Sequence, residues 1–367
     1  MIEQSLSLNQ KIGQLFFIGI PGPEPNAQTC EILNEVSPGG VCLFSRNIRE
    51  AGQTRHLLGE IRGSLSSTPF LSIDQEGGLV DRLRRIITPM PAASKLRNVD
   101  KVVELANIIA ESLRILGFNM DFAPVVDVVD EERAKHSNGL FSRVFGGSKD
   151  DALRLGDGFL SSLQENGVIG CLKHFPGLGA SEVDSHEELP LVNITNDTLF
   201  STDLFPYREL LKTGNVEAVM VAHAAFPQVN LQEKDKNGKL LPASLSKNFI
   251  TTLLRDELGF GGLVITDDLE MGAIIKNYGI GEACKMAIAA GVDMLAICAD
   301  QERIRDGYHT VLRTVEDGEI SEERIDESVA RIAALKNKLS EPLPFDAERL
   351  RQLSDQVAAL NGSLNCV

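Results

Sequence analysis

The sequence contains no tryptophan, and aromatic residues make up only 5% of its 367 residues. Flat stacking surfaces for ring-shaped ligands are therefore scarce. Basic residues are also in short supply, because 36 lysines and arginines are set against 52 aspartates and glutamates, a formal net charge of −16. A chain this acidic lacks the general positive field that attracts nucleic acid or an anionic membrane. We therefore expect neither as a partner.

Long apolar runs and a secretory signal are also missing. No stretch approaches the roughly 18 consecutive apolar residues of a membrane-spanning helix. The opening "MIEQSLSLNQ" is polar and has no basic start followed by an apolar run. The six cysteines form no CxxC pair and no metal-site spacing, and Cys42, Cys171 and Cys298 sit in apolar runs, as reduced core thiols do. These features predict a soluble, cytoplasmic protein.

What the sequence does contain is a series of short, nearly continuous apolar runs. They cover 15–20, 40–44, 70–74, 119–128, 168–175, 217–223, 263–268 and 294–298. Runs of this kind are typical of strands that are covered on both faces, as in parallel sheets. Amphipathic helix patterns lie between them, at 100–117, 246–260, 281–291 and 321–340. We predict an α/β fold: a single-domain (β/α)8 TIM-type barrel over 1–340, with 341–367 as a C-terminal extension packing on it.

Ionisable residues follow five of the predicted strands. In a barrel of this kind, catalytic groups project from the C-terminal ends of the strands. A single ionisable residue after one strand is as often a solvated strand end as a functional residue. Five strands that end this way on one rim predict a functional site, and the residues are Asp74, Asp127, Lys173 with His174, His223, and Asp267 with Asp268.

The loop after the fifth strand, "KHFPGLGASEVDSHEELP", carries a second polar pair. Its prolines and glycines predict irregular, flexible structure. Asp184 and His186 are two residues apart near its end. A carboxylate that accepts one imidazole N–H raises the basicity of the other ring nitrogen, so the pair can transfer a proton near neutral pH. The alternative is that Asp184 caps the next segment and His186 is simply exposed.

Asp267 stands at the tip of an apolar strand in "GFGGLVITDDLEMGAI". A rigid strand holds a carboxylate more accurately than a loop does, and a carboxylate nucleophile with a proton donor are the two parts that glycoside cleavage needs. The main alternative is a metal site. No HxH or HExxH pair is present, and Lys173 would repel a cation, so we expect no metal and no cofactor. The residues of that alternative are Asp74, His174, Asp184, His186, His223 and Asp267.

Ordered motifs along most of the chain resemble glycoside hydrolase family 3, specifically its single-domain β-N-acetylglucosaminidases (β-N-acetylhexosaminidases). The resemblance covers roughly residues 5 to 335. "KHFPG" followed by "DSH" is particular to this subgroup, and the aspartate motif is particular to the family. The matching motifs are "KIGQLFFIG", "LFSRNI", "IDQEGG", "NMDFAPVVDV", "SRVFGG", "KHFPG" with "DSH", "VMVAH", "LLRDELGFGGLVITDDLEM" and "AGVDMLAIC".

The resemblance implies a retaining double displacement. Asp267 matches the nucleophile of the family, and Asp268 is its structural neighbour. His186 matches the general acid/base, and Asp184 matches the partner of that histidine. The expected substrate is a small saccharide with a terminal β-linked N-acetylglucosamine, such as a muropeptide fragment from peptidoglycan recycling, and the expected state is a monomer. The residues that match the sugar-binding set are Asp74, Arg82, Arg143, Lys173 and His174.

Three positions depart from the family pattern: Leu79, Leu178 and Glu270. They bear on substrate preference rather than on the reaction class. Two alternatives remain open, a β-glucosidase or β-xylosidase of the same family and a non-catalytic sugar-binding barrel. A histidine acid/base carries no negative charge, so phosphate could also replace water as the acceptor of the sugar.

Overall fold

The computed structural model describes residues 6–136, 140–182 and 188–364. Eight of its strands form a closed barrel in which every neighbouring pair is parallel, in the order β1-β2-β3-β6-β7-β8-β9-β10 and back to β1. The remaining two, β4 and β5, form a short antiparallel hairpin. The predicted (β/α)8 barrel is thereby confirmed. The strands are β1 (Phe16–Gly19), β2 (Gly40–Leu43), β3 (Phe70–Ile73), β4 (Gln75–Gly77), β5 (Val80–Asp81), β6 (Met120–Asp121), β7 (Ile169–Phe175), β8 (Ala218–Val221), β9 (Leu263–Asp268) and β10 (Met294–Ile297).

Helices surround the barrel, and the predicted helix at 321–340 starts at a side-chain cap. Ser321 accepts a hydrogen bond from the Arg324 N–H. Gly117 and Gly291 end two other predicted helices in the left-handed conformation, at φ 104° and 110°. None of the described helices has both the length and the apolarity needed to cross a membrane. They are α1 (Leu8–Gln14), α2 (Ala27–Val36), α3 (Ala51–Ser64), α4 (Val99–Leu116), α5 (Glu131–Ala134), α6 (Lys149–Glu165), α7 (Asn196–Thr198), α8 (Phe205–Lys212), α9 (Gly272–Ile275), α10 (Ile280–Ala290), α11 (Gln301–Glu316), α12 (Glu322–Lys336) and α13 (Ala347–Leu364), with π-helical turns at Leu199–Asp203 and Asn248–Glu257.

The strand predicted at 119–128 is wrong in its length. Only Met120–Asp121 forms a regular strand, and the peptide bond between Ala123 and Pro124 is cis. Proline has no backbone N–H to contribute to a ladder. The chain still runs beside β7, because Val126 donates to the Lys173 carbonyl at 2.9 Å. The regular strand therefore ends early, although single hydrogen bonds to β7 continue as far as Val126, and Asp127 lies in a loop rather than at a strand end.

Aromatic side chains fill part of the barrel below the C-terminal rim. Phe17 on β1 stacks on Phe70 of β3, with ring centroids 5.8 Å apart, and meets the edge of Phe122 at 5.3 Å. All three are buried. Gly40 on β2 makes room for them, since a Cβ there would lie 2.2 Å from the Phe17 ring. Each buried ring contributes roughly 1.5–3 kcal/mol from its burial. The rings help to close the floor beneath the rim.

The chain beyond residue 340 ends in α13, which packs against α4. Leu350, Leu353 and Val357 are buried there. Arg349 makes two hydrogen bonds to Glu111 of α4, at 2.6 and 2.8 Å. The division of the chain at residue 340 stays a prediction.

Asp293, just before β10, is fully buried, and its removal tests how the barrel holds its outer helices. Its carboxylate accepts from Arg255 at 2.5 Å, from Arg331 at 2.9 Å and from Val264 N–H at 2.9 Å. Asp293→Asn leaves two arginines without a charge partner, so we expect a loss of about 3–5 kcal/mol in the free energy of unfolding. Urea unfolding followed by circular dichroism measures it.

The control is Glu209→Gln, which removes the partner of the exposed Lys212. Exposed pairs contribute at most about 1 kcal/mol. If Asp293→Asn lowers the free energy of unfolding no more than this control does, the buried carboxylate does not stabilise the fold in the way we describe.

Candidate active site

A cavity of about 190 Å³ opens at the C-terminal ends of the barrel strands. Pockets for drug-sized ligands usually measure about 300–1,000 Å³, so this one suits a single small ring. All five predicted sugar-binding residues line it together with the predicted nucleophile. These residues are Asp74, Arg82, Arg143, Lys173, His174 and Asp267.

Lys173, near the end of β7, is the centre of a charged network. Its Nζ lies 2.7 Å from Asp74 Oδ1 and 2.7 Å from Glu76 Oε1. Glu76 also accepts from Arg143, with Nε 2.8 Å from Oε2 and Nη2 2.9 Å from Oε1. Arg82 approaches Asp74 less closely, with Nη2 3.7 Å from Oδ2. One buried lysine therefore links the end of β3 to the end of β7.

Glu76, Arg143 and Lys173 are the charged centre of this network. Burial alone would raise the pKa of Glu76, but Arg143 and Lys173 outweigh burial and lower that pKa. Burial alone would lower the pKa of Lys173, and Asp74 and Glu76 instead raise it. A buried ammonium of this kind is stable because carboxylates surround it.

Sequence reasoning missed the role of Glu76. It appeared only inside the "IDQEGG" motif, although it stands two residues after Asp74 in a short strand and so points to the same side. A second buried acid, Asp121 of β6, accepts the Gln75 N–H at 2.9 Å. Burial raises the pKa of Asp121 well above its usual range. Burial therefore favours the protonated form of Asp121 beside the network.

The β4–β5 hairpin holds Asp74 and Glu76 in place. The Gln75 side chain is buried and accepts from the backbone of Arg82 and Leu83, each at 3.0 Å. Gly77 and Gly78 turn the chain at positive φ, 89° and 58°. A Cβ at Gly78 would lie 2.7 Å from the Ala92 Cβ. Both glycines are therefore required by the conformation of the backbone and by the close approach of Ala92.

Asp127 supports the site from below the cavity lining. Its Oδ2 lies 2.8 Å from His174 Nδ1, and its Oδ1 accepts from the Leu178 N–H at 2.7 Å. It orients the imidazole and fixes the start of the following loop. The beginning of that loop is packed, since a Cβ at Gly179 would lie 2.0 Å from the Val128 carbonyl oxygen. Asp184 and His186 lie outside the described residues, so their pairing stays a prediction.

Asp267 stands on β9, and its Oδ1 accepts the Asp268 N–H at 2.8 Å. Burial would raise the pKa of Asp267, but the nearby His174 and Lys173 and the hydrogen bond from the Asp268 N–H outweigh it and lower the pKa. The group is therefore an ionised carboxylate that faces the cavity at neutral pH.

His223 lies beneath Asp267 rather than in the cavity. Its Nδ1 is 2.7 Å from Ser244 Oγ and its Nε2 is 3.1 Å from the Asp268 carbonyl oxygen. Burial lowers the pKa of His223, so the imidazole is neutral. With both ring nitrogens engaged, His223 positions the end of β9 and is not placed to bind a ligand.

Asp268 lines the cavity beside Asp267. Burial raises the pKa of Asp268 to about 7, against the hydrogen bond from the Glu270 N–H and with the help of the Glu270 and Asp267 charges. Glu270 itself points away from the cavity. Its carboxylate accepts from the backbone N–H groups of Ala299, at 2.5 Å, and Asp300, at 3.1 Å.

Within the described ranges, no three His, Cys, Asp or Glu side chains are grouped so that they could hold a metal ion. Two of the carboxylates that line the cavity, Asp74 and Glu76, are already paired with Lys173 and Arg143, which would repel a cation. Asp184 and His186, two members of the metal alternative, lie outside these ranges.

The family model described as "Glycosyl hydrolase family 3 N terminal domain" matches residues 7–335. A protein named "Beta-hexosaminidase" from Tolumonas auensis is 33% identical over 286 residues, which covers 77% of this chain and 81% of that protein. A protein of the same name from Psychromonas ingrahamii is 30% identical over 353 residues, which cover 92% of this chain and 98% of that protein.

Solved structures are similar over almost the whole chain. A glycoside hydrolase family 3 β-N-acetylglucosaminidase from Paenibacillus sp. is 36% identical with a TM-score of 0.87, over 97% of this chain and 69% of that one. A family 3 glycosyl hydrolase from Mycobacterium smegmatis is 31% identical with a TM-score of 0.81, over 92% and 99%.

Glu76→Gln tests the charged network. The folded-state pKa of Glu76 is lowered below the usual value of 4.5. The stability that its ionisation contributes is therefore complete well above pH 4.5 and is lost as the pH falls from there towards the folded-state pKa. We expect the variant to be about 3 kcal/mol less stable than the wild type at pH 7. The difference should shrink below about pH 4.5, as measured by urea unfolding at several pH values.

Glu104→Gln is the control, because Glu104 pairs with Lys101 on an exposed helix face. Its effect should stay small at every pH. A Glu76→Gln deficit that is independent of pH would contradict the ionised network.

Proposed function

Since the chain belongs to glycosyl hydrolase family 3 and is a glycoside hydrolase, we propose that it releases terminal β-linked N-acetylglucosamine with retention of configuration. The observation that carries this proposal is one cavity shared by an ionised carboxylate, Asp267, and a set of hydrogen-bonding side chains around Lys173. The "Beta-hexosaminidase" relatives favour this sugar over the glucose or xylose of the alternative within the family. Their enzymatic name also argues against a non-catalytic barrel.

The sugar-binding residues offer both donors and acceptors. Asp74 accepts from sugar hydroxyls, whereas Lys173, Arg82 and Arg143 donate to them. His174 holds Asp127 through Nδ1, and its Nε2 makes no hydrogen bond to any described residue. That Nε2 is free to meet a sugar hydroxyl. Charged partners shorten and strengthen these hydrogen bonds, so the ring is held with Asp267 at a fixed position.

In the proposed reaction, the Asp267 carboxylate attacks the anomeric carbon while a proton passes to the departing oxygen. The bond to the leaving group breaks, and a glycosyl ester forms on Asp267. Water then displaces the carboxylate and releases the sugar with its original configuration. The lowered pKa keeps Asp267 ionised for the first step.

We assign the proton transfer to His186, with Asp184 as its partner, on the resemblance of "DSH" to the family pattern. Ser181 lines the cavity, and His186 follows it by five residues. Five residues span at most about 18 Å, so the chain length allows His186 to approach the cavity. The histidine donates its proton in the first step and takes one from water in the second.

We propose peptidoglycan-derived fragments as the natural substrates, again on the resemblance to the β-N-acetylglucosaminidase subgroup. A panel of nitrophenyl N-acetylglucosaminide, glucoside and xyloside separates this proposal from the alternative within the family. The cytoplasmic location, the monomeric state and phosphate as a second acceptor stay predictions.

Asp267→Asn tests the nucleophile. The amide cannot attack the anomeric carbon, so kcat for nitrophenyl N-acetylglucosaminide should fall by a factor of about 10⁴ or more, or about 5.4 kcal/mol. A fluorinated sugar that traps the covalent intermediate should label Asp267 in the wild type, as seen by peptide mass spectrometry. Asp317→Asn, at the exposed end of α11, is the control. Labelling of another residue would refute the assignment.

His186→Ala tests the acid/base. Nitrophenol leaves without a proton, whereas a second sugar requires one. For nitrophenyl N-acetylglucosaminide, the pre-steady-state burst measures the first step, the transfer of the sugar to the enzyme. We therefore expect the variant to lose at least tenfold more activity on chitobiose than it loses in the rate of that first step. Asp184→Asn should show the same pattern in weaker form. Equal losses on both substrates would show that His186 is not the proton donor.

A further inference from the structure

A second cavity lies at the end of the barrel opposite the candidate active site, and we refer to it as the lower cavity. Its volume is about 570 Å³, within the roughly 300–1,000 Å³ of small-molecule sites. Gln14 and residues 66–68 line it, and they come just before β1 and β3, at the N-terminal ends of the strands. The C-terminal part of α12 forms the other wall. The two cavities share no lining residue.

Within the described part of the chain, Lys336 is the only charged residue that lines the lower cavity. Its Nζ lies 2.7 Å from Gln14 Oε1 and 5.6 Å from the centroid of the Phe70 ring. Both of these contacts are neutral groups. No carboxylate oxygen of a described residue lies within 4.0 Å of this ammonium. The cation is therefore held by an amide oxygen and a ring face alone.

This arrangement leaves the charge of Lys336 poorly compensated. A cation that leaves water needs an opposite charge to recover its hydration energy, and neutral acceptors replace only part of it. Burial accordingly lowers the pKa of Lys336 to about 7. At Lys173 the result is the reverse, because Asp74 and Glu76 raise the pKa of that lysine. Lys173 has its counter-ions within the fold, whereas an anion from outside would supply the one that Lys336 lacks.

The lower cavity also has one polar and one apolar wall. An ammonium has three N–H donors, and Gln14 accepts only one of those on Lys336. Ser67 Oγ donates to the same Gln14 oxygen at 3.4 Å, and the hydroxyls of Ser66 and Thr68 make no hydrogen bond to another described residue. These hydroxyls can donate to an anion beside Lys336. The apolar wall consists of Leu6, Val329, Ile332, Ala333 and Ala334.

We propose that the lower cavity binds a small carboxylic acid with an apolar chain, its carboxylate on Lys336 and its chain along α12. One ammonium matches the single charge of a carboxylate, whereas a phosphate dianion would bring a second charge that no lining residue neutralises. The serine and threonine hydroxyls serve the second carboxylate oxygen. The apolar wall covers the chain and removes it from water.

This inference is independent of the proposed function. Phe70 touches Lys336 from above and stacks on Phe17, which in turn meets Phe122 at the lining of the catalytic cavity. The aromatic floor therefore lies between the two cavities, so an acid in the lower cavity does not occupy the place of the sugar.

The experiment compares hexanoate with hexanamide, which has nearly the same shape and no charge. Isothermal titration calorimetry at about pH 6 measures both, because the ammonium of Lys336 and the carboxylate of hexanoate are then charged. We expect the wild type to bind hexanoate about tenfold or more tightly than hexanamide. Butyrate, which is shorter by two methylene groups, should bind about tenfold more weakly than hexanoate.

Lys336→Met removes the charge and keeps a side chain of similar length. Because the variant removes a poorly compensated cation, we expect it to fold, as urea unfolding checks. It should bind hexanoate no more tightly than hexanamide. Lys212→Met, which removes an exposed lysine paired with Glu209, is the matched control and should keep the preference. Ala333→Phe fills the cavity from α12 and should weaken the binding of both ligands by about tenfold or more.

Three results would overturn the inference. They are the absence of saturable hexanoate binding by the wild type, equal affinity for hexanoate and hexanamide, and a preference for hexanoate that survives Lys336→Met. A preference that is lost equally in Lys212→Met would also overturn it, since the attraction would then not belong to this cavity. Failure of the glycosidase assays bears only on the proposed function.

Discussion

The buried ammonium of Lys173 is the interaction on which the candidate site depends. Taking an ammonium out of water costs several kcal/mol, and only close carboxylates offset that cost. Asp74 and Glu76 provide them at 2.7 Å each. Both stand just after β3, whereas Lys173 stands on β7 with β6 between them in the barrel. The charge pairing thus joins two strands that do not hydrogen-bond to each other.

This pairing explains the state of the groups around it. Asp121 on the intervening β6 is a third carboxyl group near the lysine, and burial raises its pKa and so favours its protonated form. Lys173 and Arg143 pair with Asp74 and Glu76 around the cavity that Asp267 also lines. Paired charges of this kind can exclude water without leaving an isolated ion, and the lowered pKa of Asp267 keeps that carboxylate ionised.

The sequence predicted those parts of the molecule that local pattern determines. Seven of the eight predicted strands match in place and extent to within a few residues, because continuous apolar runs report burial on both faces. The eighth strand, predicted at 119–128, is shorter than expected because Pro124 has no backbone N–H to contribute to the sheet. The prediction was too long because a pattern of apolar side chains does not register a missing N–H. Asp74, Lys173, His174 and Asp267 were found by their place after strands, whereas Arg82 and Arg143 were predicted from the family resemblance. Glu76 was missed because its role arises from pairing with Lys173 and Arg143, which are distant in sequence.

The three departures from the family pattern, Leu79, Leu178 and Glu270, differ in whether the side chain or only the backbone takes part in the site. At Leu178 the backbone N–H donates to Asp127, a contact that does not depend on the side chain. The leucine side chain contributes only to the apolar part of the cavity wall. Leu79 is 65% exposed at the tip of the β4–β5 hairpin, where it supports no buried contact. Glu270 fixes the start of α11 through Ala299 and Asp300 and turns its charge away from Asp267. Of the three, only Glu270 affects the pair of aspartates at the end of β9, because its charge helps to raise the pKa of Asp268. Variation at Leu79 and Leu178 is therefore compatible with one reaction, whereas a change at Glu270 would also shift the pKa of Asp268.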